Sequence, residues 1–137
     1  AYGFSRFGRY SYDIVDVLET MGSISDCDKS YVLEMSNTVR EMILLSIEAL
    51  QSRDRDAAQK LYQMDNTVDA LYRRYVHEII NPTEQQKNIN KEFLDKSLRC
   101  YISTLLILRY LERISDHACY IGDSVYYIAT GTSSPRR

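Results

Sequence analysis

Proline and glycine are scarce in this chain, two and five among 137 residues. With so little turn chemistry the chain is expected to fold as a few long elements, which favours helices. The three cysteines, Cys27, Cys100 and Cys119, are odd in number, widely spaced and without a CxxC pair. That pattern argues against a disulfide framework or a thiolate zinc site. The expectation is reduced, mostly buried cysteines in a cytosolic protein. No apolar run reaches the roughly 18 residues that a membrane-spanning helix needs, so no membrane insertion is expected. The opening AYGFSRFGRYSYD lacks the apolar centre of a signal peptide and an initiator methionine, and reads as the start of a processed chain or a fragment. The net charge of −2 gives no electrostatic bias toward nucleic acid, and Arg136–Arg137 is too short a basic tail to argue otherwise. No glycine-rich phosphate loop occurs. No Ser/His/Asp or Cys/His constellation can be built from the spacings, so no catalytic residue is assigned.

What the chain has is 45% hydrophobic residues, enough for one domain with a core. Residues 4–22 form a helix candidate with Phe7, Ile14, Leu18 and Met21 on one side. Gly22-Ser23 ends it, and 23–28 is a linker in which Asp26 or Asp28 can cap the next helix. That helix, about 29–51, carries Val32, Met35, Val39, Met42, Ser46 and Ala49 at 3,4 spacing. A short connection follows, with Asp54 as the expected cap, and so short a link implies an antiparallel neighbour. The third helix runs to about Ile80 on a stripe of Leu61, Met64, Val68, Leu71, Tyr75 and Ile79. Asn81-Pro82 stops it, because the residue before proline avoids the helical region. In the polar loop 82–90, Thr83-x-x-Gln86 fits a capping box and Asn90 is an equally good cap. The last helix, about 91–129, spans roughly 58 Å at 1.5 Å per residue. It carries two stripes: Leu94, Leu98, Tyr101, Leu105 and Leu108, then Ile107, Leu111, Ile114, Ala118, Ile121, Val125 and Ile128. A helix this long is expected to kink or to project and pack on another copy.

Two acidic pairs interrupt these apolar faces. Glu112 and Asp116 lie four apart where the first stripe of the last helix would continue. Asp65 and Asp69 repeat the spacing on the third helix, at the edge of its buried face. Carboxylates at i and i+4 project from one helix face. Two such pairs on neighbouring antiparallel helices would gather four oxygen ligands, repelling one another unless a cation intervenes. Oxygen-only ligation suits Mg²⁺, Ca²⁺, Mn²⁺ or ferric iron better than zinc or copper. The plain alternative is ion pairing: Arg73 for Asp69, and Arg109, Arg113 or Arg9 for Glu112 and Asp116. His117 and His77 read as ordinary polar or partly buried residues rather than ligands, and the twelve tyrosines as packing groups.

The run Arg109-Tyr-Leu-Glu112-Arg113-Ile114-Ser115-Asp116-His117-Ala118-Cys-Tyr120-Ile121-Gly-Asp123 resembles the signature of the PhoU family, approximately L-E-R-I-G-D-H-A-x-N-I-A-E. Ser115 and Tyr120 depart from the usual Gly and Asn, and Asp123 replaces a Glu. The run Asp65-Asn-Thr-Val-Asp69-Ala-Leu71-Tyr72-Arg73 is similar to the family's other motif, D-x-x-x-D followed by Leu-Tyr-Arg. The turn Asp54-Arg-Asp56-Ala57-Ala58 also resembles the family's. The resemblance covers about 29–131.

It implies an all-α fold: an antiparallel three-helix bundle over 29–131, an additional N-terminal helix and linker over 1–28, and a short tail over 132–137. The family usually carries the bundle twice. Residues 6–17 align weakly with 113–124, so the N-terminal helix is expected to be the tail of a preceding repeat, with Ser5 and Arg9 where its acids would fall. The resemblance further implies that Asp65, Asp69, Glu112 and Asp116 hold metal, whether iron, Mg, Mn, Ca or Zn. It implies a non-catalytic regulator of phosphate uptake and phosphate-dependent signalling, cytoplasmic and peripheral to the inner face of the membrane. Its expected partners are a Pst-type phosphate transporter, a sensor kinase and further copies of itself. Two other readings stand beside it. One is a metal-free helical interaction module attached to another transporter or regulator. The other is a ferritin-like di-metal enzyme, which needs Glu-x-x-His pairs; here Ser115 follows Glu112 and Asn81 follows Glu78 at that spacing.

Overall fold

A computed structural model of the protein describes residues 2–81 and 91–135. It contains four helices: α1 (Tyr2–Met21), α2 (Ser30–Ser52), α3 (Ala57–Ile80) and α4 (Lys91–Thr130). Among the described residues, α4 packs against each of the other three, α2 also packs against α3, and α1 touches α4 alone. The fold is therefore an α2–α3–α4 bundle with α1 laid along the outside of its longest member. No described helix is long and apolar enough to cross a membrane.

The helices arise where periodicity places them. Met35, Val39, Met42, Ser46 and Ala49 of α2 are all buried, as are Leu61, Val68, Leu71 and Tyr75 of α3. Asp28 begins α2 by accepting the Ser30 N–H at 3.0 Å. Asp26 has a different task, pairing with Lys96 and Arg99 of α4. Between α2 and α3 the Asp54 carboxylate accepts the Asp56 N–H at 2.9 Å, and Arg53 takes the left-handed conformation at φ 56° to turn the chain. Gly131, at φ 72°, closes α4. The capping candidates Thr83, Gln86 and Asn90 lie outside the described residues.

Two expectations need correction. The first stripe of α4 is not uniformly core: Leu94 and Leu98 are 50% and 57% exposed, while Ser103 and Thr104 are buried instead. Periodicity finds an apolar face but not what covers it. Ile128, at the far end of the second stripe, is exposed as well. Secondly, Cys27 and Cys100 are not reduced. They form a disulfide with Cα atoms 5.6 Å apart, joining the α1–α2 linker to the first half of α4. A pair 73 residues apart leaves no local mark, and an odd count does not exclude one bridge. The Arg99 guanidinium reinforces this seam by donating to the carbonyls of Met21 and Ser23 at 3.3 and 3.0 Å. α4 is assigned as one helix over its 40 residues.

Cys119, the third cysteine, is buried on the α3–α4 seam, its thiol 3.6 Å from the Leu61 carbonyl. The two helices are also close one turn further on, at Gly122. A Cβ placed on Gly122 would come within 2.7 Å of Leu61 Cδ1 and 3.2 Å of the Ala58 backbone. Any larger residue there would make Leu61 and the Ala58 backbone give way.

Candidate carboxylate site

Asp65 lies on the row of α3 that faces α4 and is 1% exposed. It is anchored across the seam: the Ser115 hydroxyl donates to Asp65 Oδ1 at 2.7 Å. Ser115 belongs to the same α4 row as Leu108, Leu111 and Ala118, all buried, so its hydroxyl is delivered to α3 by the core packing itself. Asp69 follows one turn along α3 and is half-buried. On α4, Glu112 is 9% exposed and ion-paired with Arg109, whose guanidinium also lies over the Tyr72 ring, 5.9 Å from its centroid. Asp116 is half-buried beside Ser115. Beyond this cluster along the seam, the Tyr62 hydroxyl of α3 donates to Asp123 of α4.

The four acids share one electrostatic neighbourhood. Burial pushes Asp116 up to about 6, and the charges of Asp65, Glu112 and Asp69 push the same way against Arg113. Glu112 is also raised, first by burial and then by Asp69 and Asp65, while Arg109 opposes the rise. Glu112 and Asp116 therefore resist ionising beside the other carboxylates, as crowded, partly buried acids with incomplete counter-charge must. The cluster is not drawn tight. Among the described residues, three potential ligand atoms lie within 4.8 Å of one another only at Asp26, Cys27 and Cys100. There the two sulfurs are already bonded to each other.

The structure thus brings all four predicted acids to one seam between α3 and α4. It also realises one plain alternative, the Arg109–Glu112 pair. Arg9 instead engages Asp13 on its own helix at 3.4 Å. His117 faces α1, its ring 5.6 Å from that of Tyr10 and 5.2 Å from that of Tyr120. Burial lowers the pKa of its imidazole, aided by Arg6 and Arg113. His77 is exposed near the end of α3. Two residues of the seam were not singled out by spacing, Ser115 and Tyr62. The signal for Ser115 was present: a small hydroxyl on an otherwise apolar 3,4 row, between two acids.

An all-helical bundle whose central seam carries an i,i+4 acidic pair on each of two neighbouring helices defines a class of carboxylate-bearing helical modules. Comparison with known proteins narrows the class. The profile of the PhoU domain matches residues 32–125, and the chain belongs to that family. A phosphate-specific transport system accessory protein PhoU homolog of Clostridium acetobutylicum is 28% identical over 128 residues, covering 92% of this chain and 54% of the relative. The homolog of Zymomonas mobilis is 29% identical over 135 residues, 96% of this chain and 53% of the relative. That of Pseudomonas putida is 30% identical over 101 residues, 74% of this chain and 36% of the relative. The chain thus spans about half the length, or less, of the curated relatives it matches. No solved structure matches it.

Proposed function

We propose that this chain is a non-catalytic PhoU-domain regulator. It modulates phosphate uptake and phosphate-dependent signalling by docking helical surfaces on a Pst-type transporter and a sensor kinase at the cytoplasmic face of the membrane. The observation that carries the reading is the coincidence of the family match over 32–125 with the acidic quartet on the α3–α4 seam. The relatives' names, accessory proteins of a phosphate-specific transport system, support the transporter as partner. Residues 29–131 form the family unit in this proposal, and α1 with its linker is the tail of a preceding repeat. A second copy or a second repeat completes the assembly.

The proposal includes a cation held by Asp65, Asp69, Glu112 and Asp116. The donor set fits a hard ion: four carboxylates, two of them buried, with Asp116 and Glu112 raised first by burial and then by neighbouring carboxylates. A bound cation supplies positive charge that cancels this repulsion. The protein's own residues do the rest. Ser115 holds one Asp65 oxygen in place, and the α3–α4 packing sets the separation of the two pairs. A metal-free reading has support of its own, since Arg109 already balances Glu112 and Ser115 already satisfies part of Asp65.

The regulatory role is tested by expressing the tagged chain in its own host at high phosphate. Retention of the transporter's ATP-hydrolysing subunit is the expected result, together with faster phosphate uptake when the gene is disrupted. Absence of both would overturn it.

A further inference from the structure

A second feature lies at the other end of the bundle from the Gly122 crossing, against the disulfide. Here α2, α3 and α4 enclose a cavity of about 240 Å³. Tyr31, Tyr75 and Tyr101 form walls, and Thr104 and Cys100 complete the α4 side. The Tyr31 and Tyr75 rings meet at 63° with centroids 5.2 Å apart, so they make a corner rather than a stack. Two carboxylates, Asp28 and Glu78, join the lining, and no lining residue is basic. Both are exposed and stand where the cavity meets solvent.

We propose that this cavity is a binding site for a small alkylated ammonium ion, held on the tyrosine faces with Asp28 and Glu78 supplying the counter-charge. The reasoning is chemical. The negative face of an aromatic ring attracts a weakly hydrated organic cation, and rings set at an angle present more than one face to it. Carboxylates in the lining favour a cation over any neutral or anionic guest. The volume falls below the roughly 300–1,000 Å³ of drug-sized pockets, which restricts the guest to a few heavy atoms.

The walls are fixed before any guest arrives. The Tyr31 hydroxyl donates to Glu78 Oε1 at 2.5 Å, tying α2 to α3 across the site. The Cys27–Cys100 bridge pins the linker beside Asp28 to α4. Both phenols stay protonated: burial pushes Tyr31 and Tyr75 up to about 12, with Glu78 adding to the rise at Tyr31 and Arg74, bonded to the same phenol from outside the lining, opposing it. Neutral rings and a braced frame reduce the ordering cost of binding. The site is separate from the acidic seam, with Thr104 lying about 12 Å along α4 from Glu112 at 1.5 Å per residue.

The test is calorimetric titration of the whole chain with choline, with tetramethylammonium, and with 3,3-dimethylbutan-1-ol, the neutral carbon analogue of choline. Ionic strength is held constant with sodium chloride. Saturable binding of both cations is expected, at least about fivefold tighter than the neutral analogue, the scale of one cation–aromatic contact. Glu78→Gln and Tyr31→Ala should each weaken choline by a similar factor, with helicity checked by circular dichroism. Tyr31→Phe, which keeps the ring, should hold affinity closer to wild type than Tyr31→Ala does. Equal binding of choline and its neutral analogue by the unaltered protein, or no saturable binding of either cation, would overturn the proposal whatever the variants do.

Discussion

Replacing Asp116 by asparagine should make the metal-free protein more stable at neutral pH and leave it unchanged in acid. In the folded protein the carboxyl of Asp116 ionises at about 6, against 3.8 for the ordinary group. Its cause is burial first, then the charges of Asp65, Glu112 and Asp69. Between those two pH values the folded state holds a proton that the unfolded state has released, so stability falls as pH rises through the window. Two units correspond to about 3 kcal/mol at full strength, and discounting for the half-exposed position leaves about 1.5 kcal/mol. Asparagine has the same shape without the charge, so it escapes that loss. The assay is urea unfolding at pH 4 and pH 7.5 in the presence of a chelator. The two proteins should have matching midpoints at pH 4, and Asp116→Asn should be about 1.5 kcal/mol more stable at pH 7.5. Part of that loss is repulsion from Glu112, which asparagine also removes. A variant less stable than wild type at pH 7.5 would refute the reasoning, because it would mean that the ionised carboxylate is favourably partnered.

Other consequences follow from particular contacts. Gly122→Ala should destabilise the fold by about 1–3 kcal/mol, since the added methyl meets Leu61 at 2.7 Å and backbone at 3.2 Å; thermal melting reads this directly. Breaking the Cys27–Cys100 bridge, by a reductant or by Cys27→Ser, releases a closure between residues 73 apart. Loop entropy sets that loss at up to about 4 kcal/mol, seen as a lower urea midpoint and as a mobility shift on non-reducing gels. Ser115→Ala removes a donor from a carboxylate that is 1% exposed. It should cost about 1–3 kcal/mol at pH 7.5, measured by the same urea titration.

Much of this fold can be read along the chain because its signals are local. Pro82 and the Asp54 turn mark ends, and the 3,4 rows of α2 and α3 reproduce the buried faces almost residue for residue. The acids stand out for the same reason: Glu112 interrupts an apolar row and is itself nearly buried. What the chain could not disclose is non-local. The Cys27–Cys100 bond depends on the linker folding back over α4, which no spacing encodes. Leu94 and Leu98 look identical to core leucines in one dimension, yet no other described helix covers them. The depth of Asp65 depends on a serine 50 residues away that reaches it only once α3 and α4 have packed. The tyrosine cavity is a property of three helices together, and its residues are unremarkable on each one alone.

The central claim is that the α3–α4 carboxylates are kept together for a cation. Equilibrium dialysis against Mn²⁺ at pH 7.5 tests it most directly, comparing the wild type with an Asp65→Asn/Glu112→Gln double variant shown to be folded. Saturable binding by the wild type, displaced by Mg²⁺ and weakened at least tenfold in the variant, is the predicted result. Equal uptake by both proteins, or no uptake by the wild type, would contradict the claim and leave Arg109 and Ser115 as the partners that explain these acids.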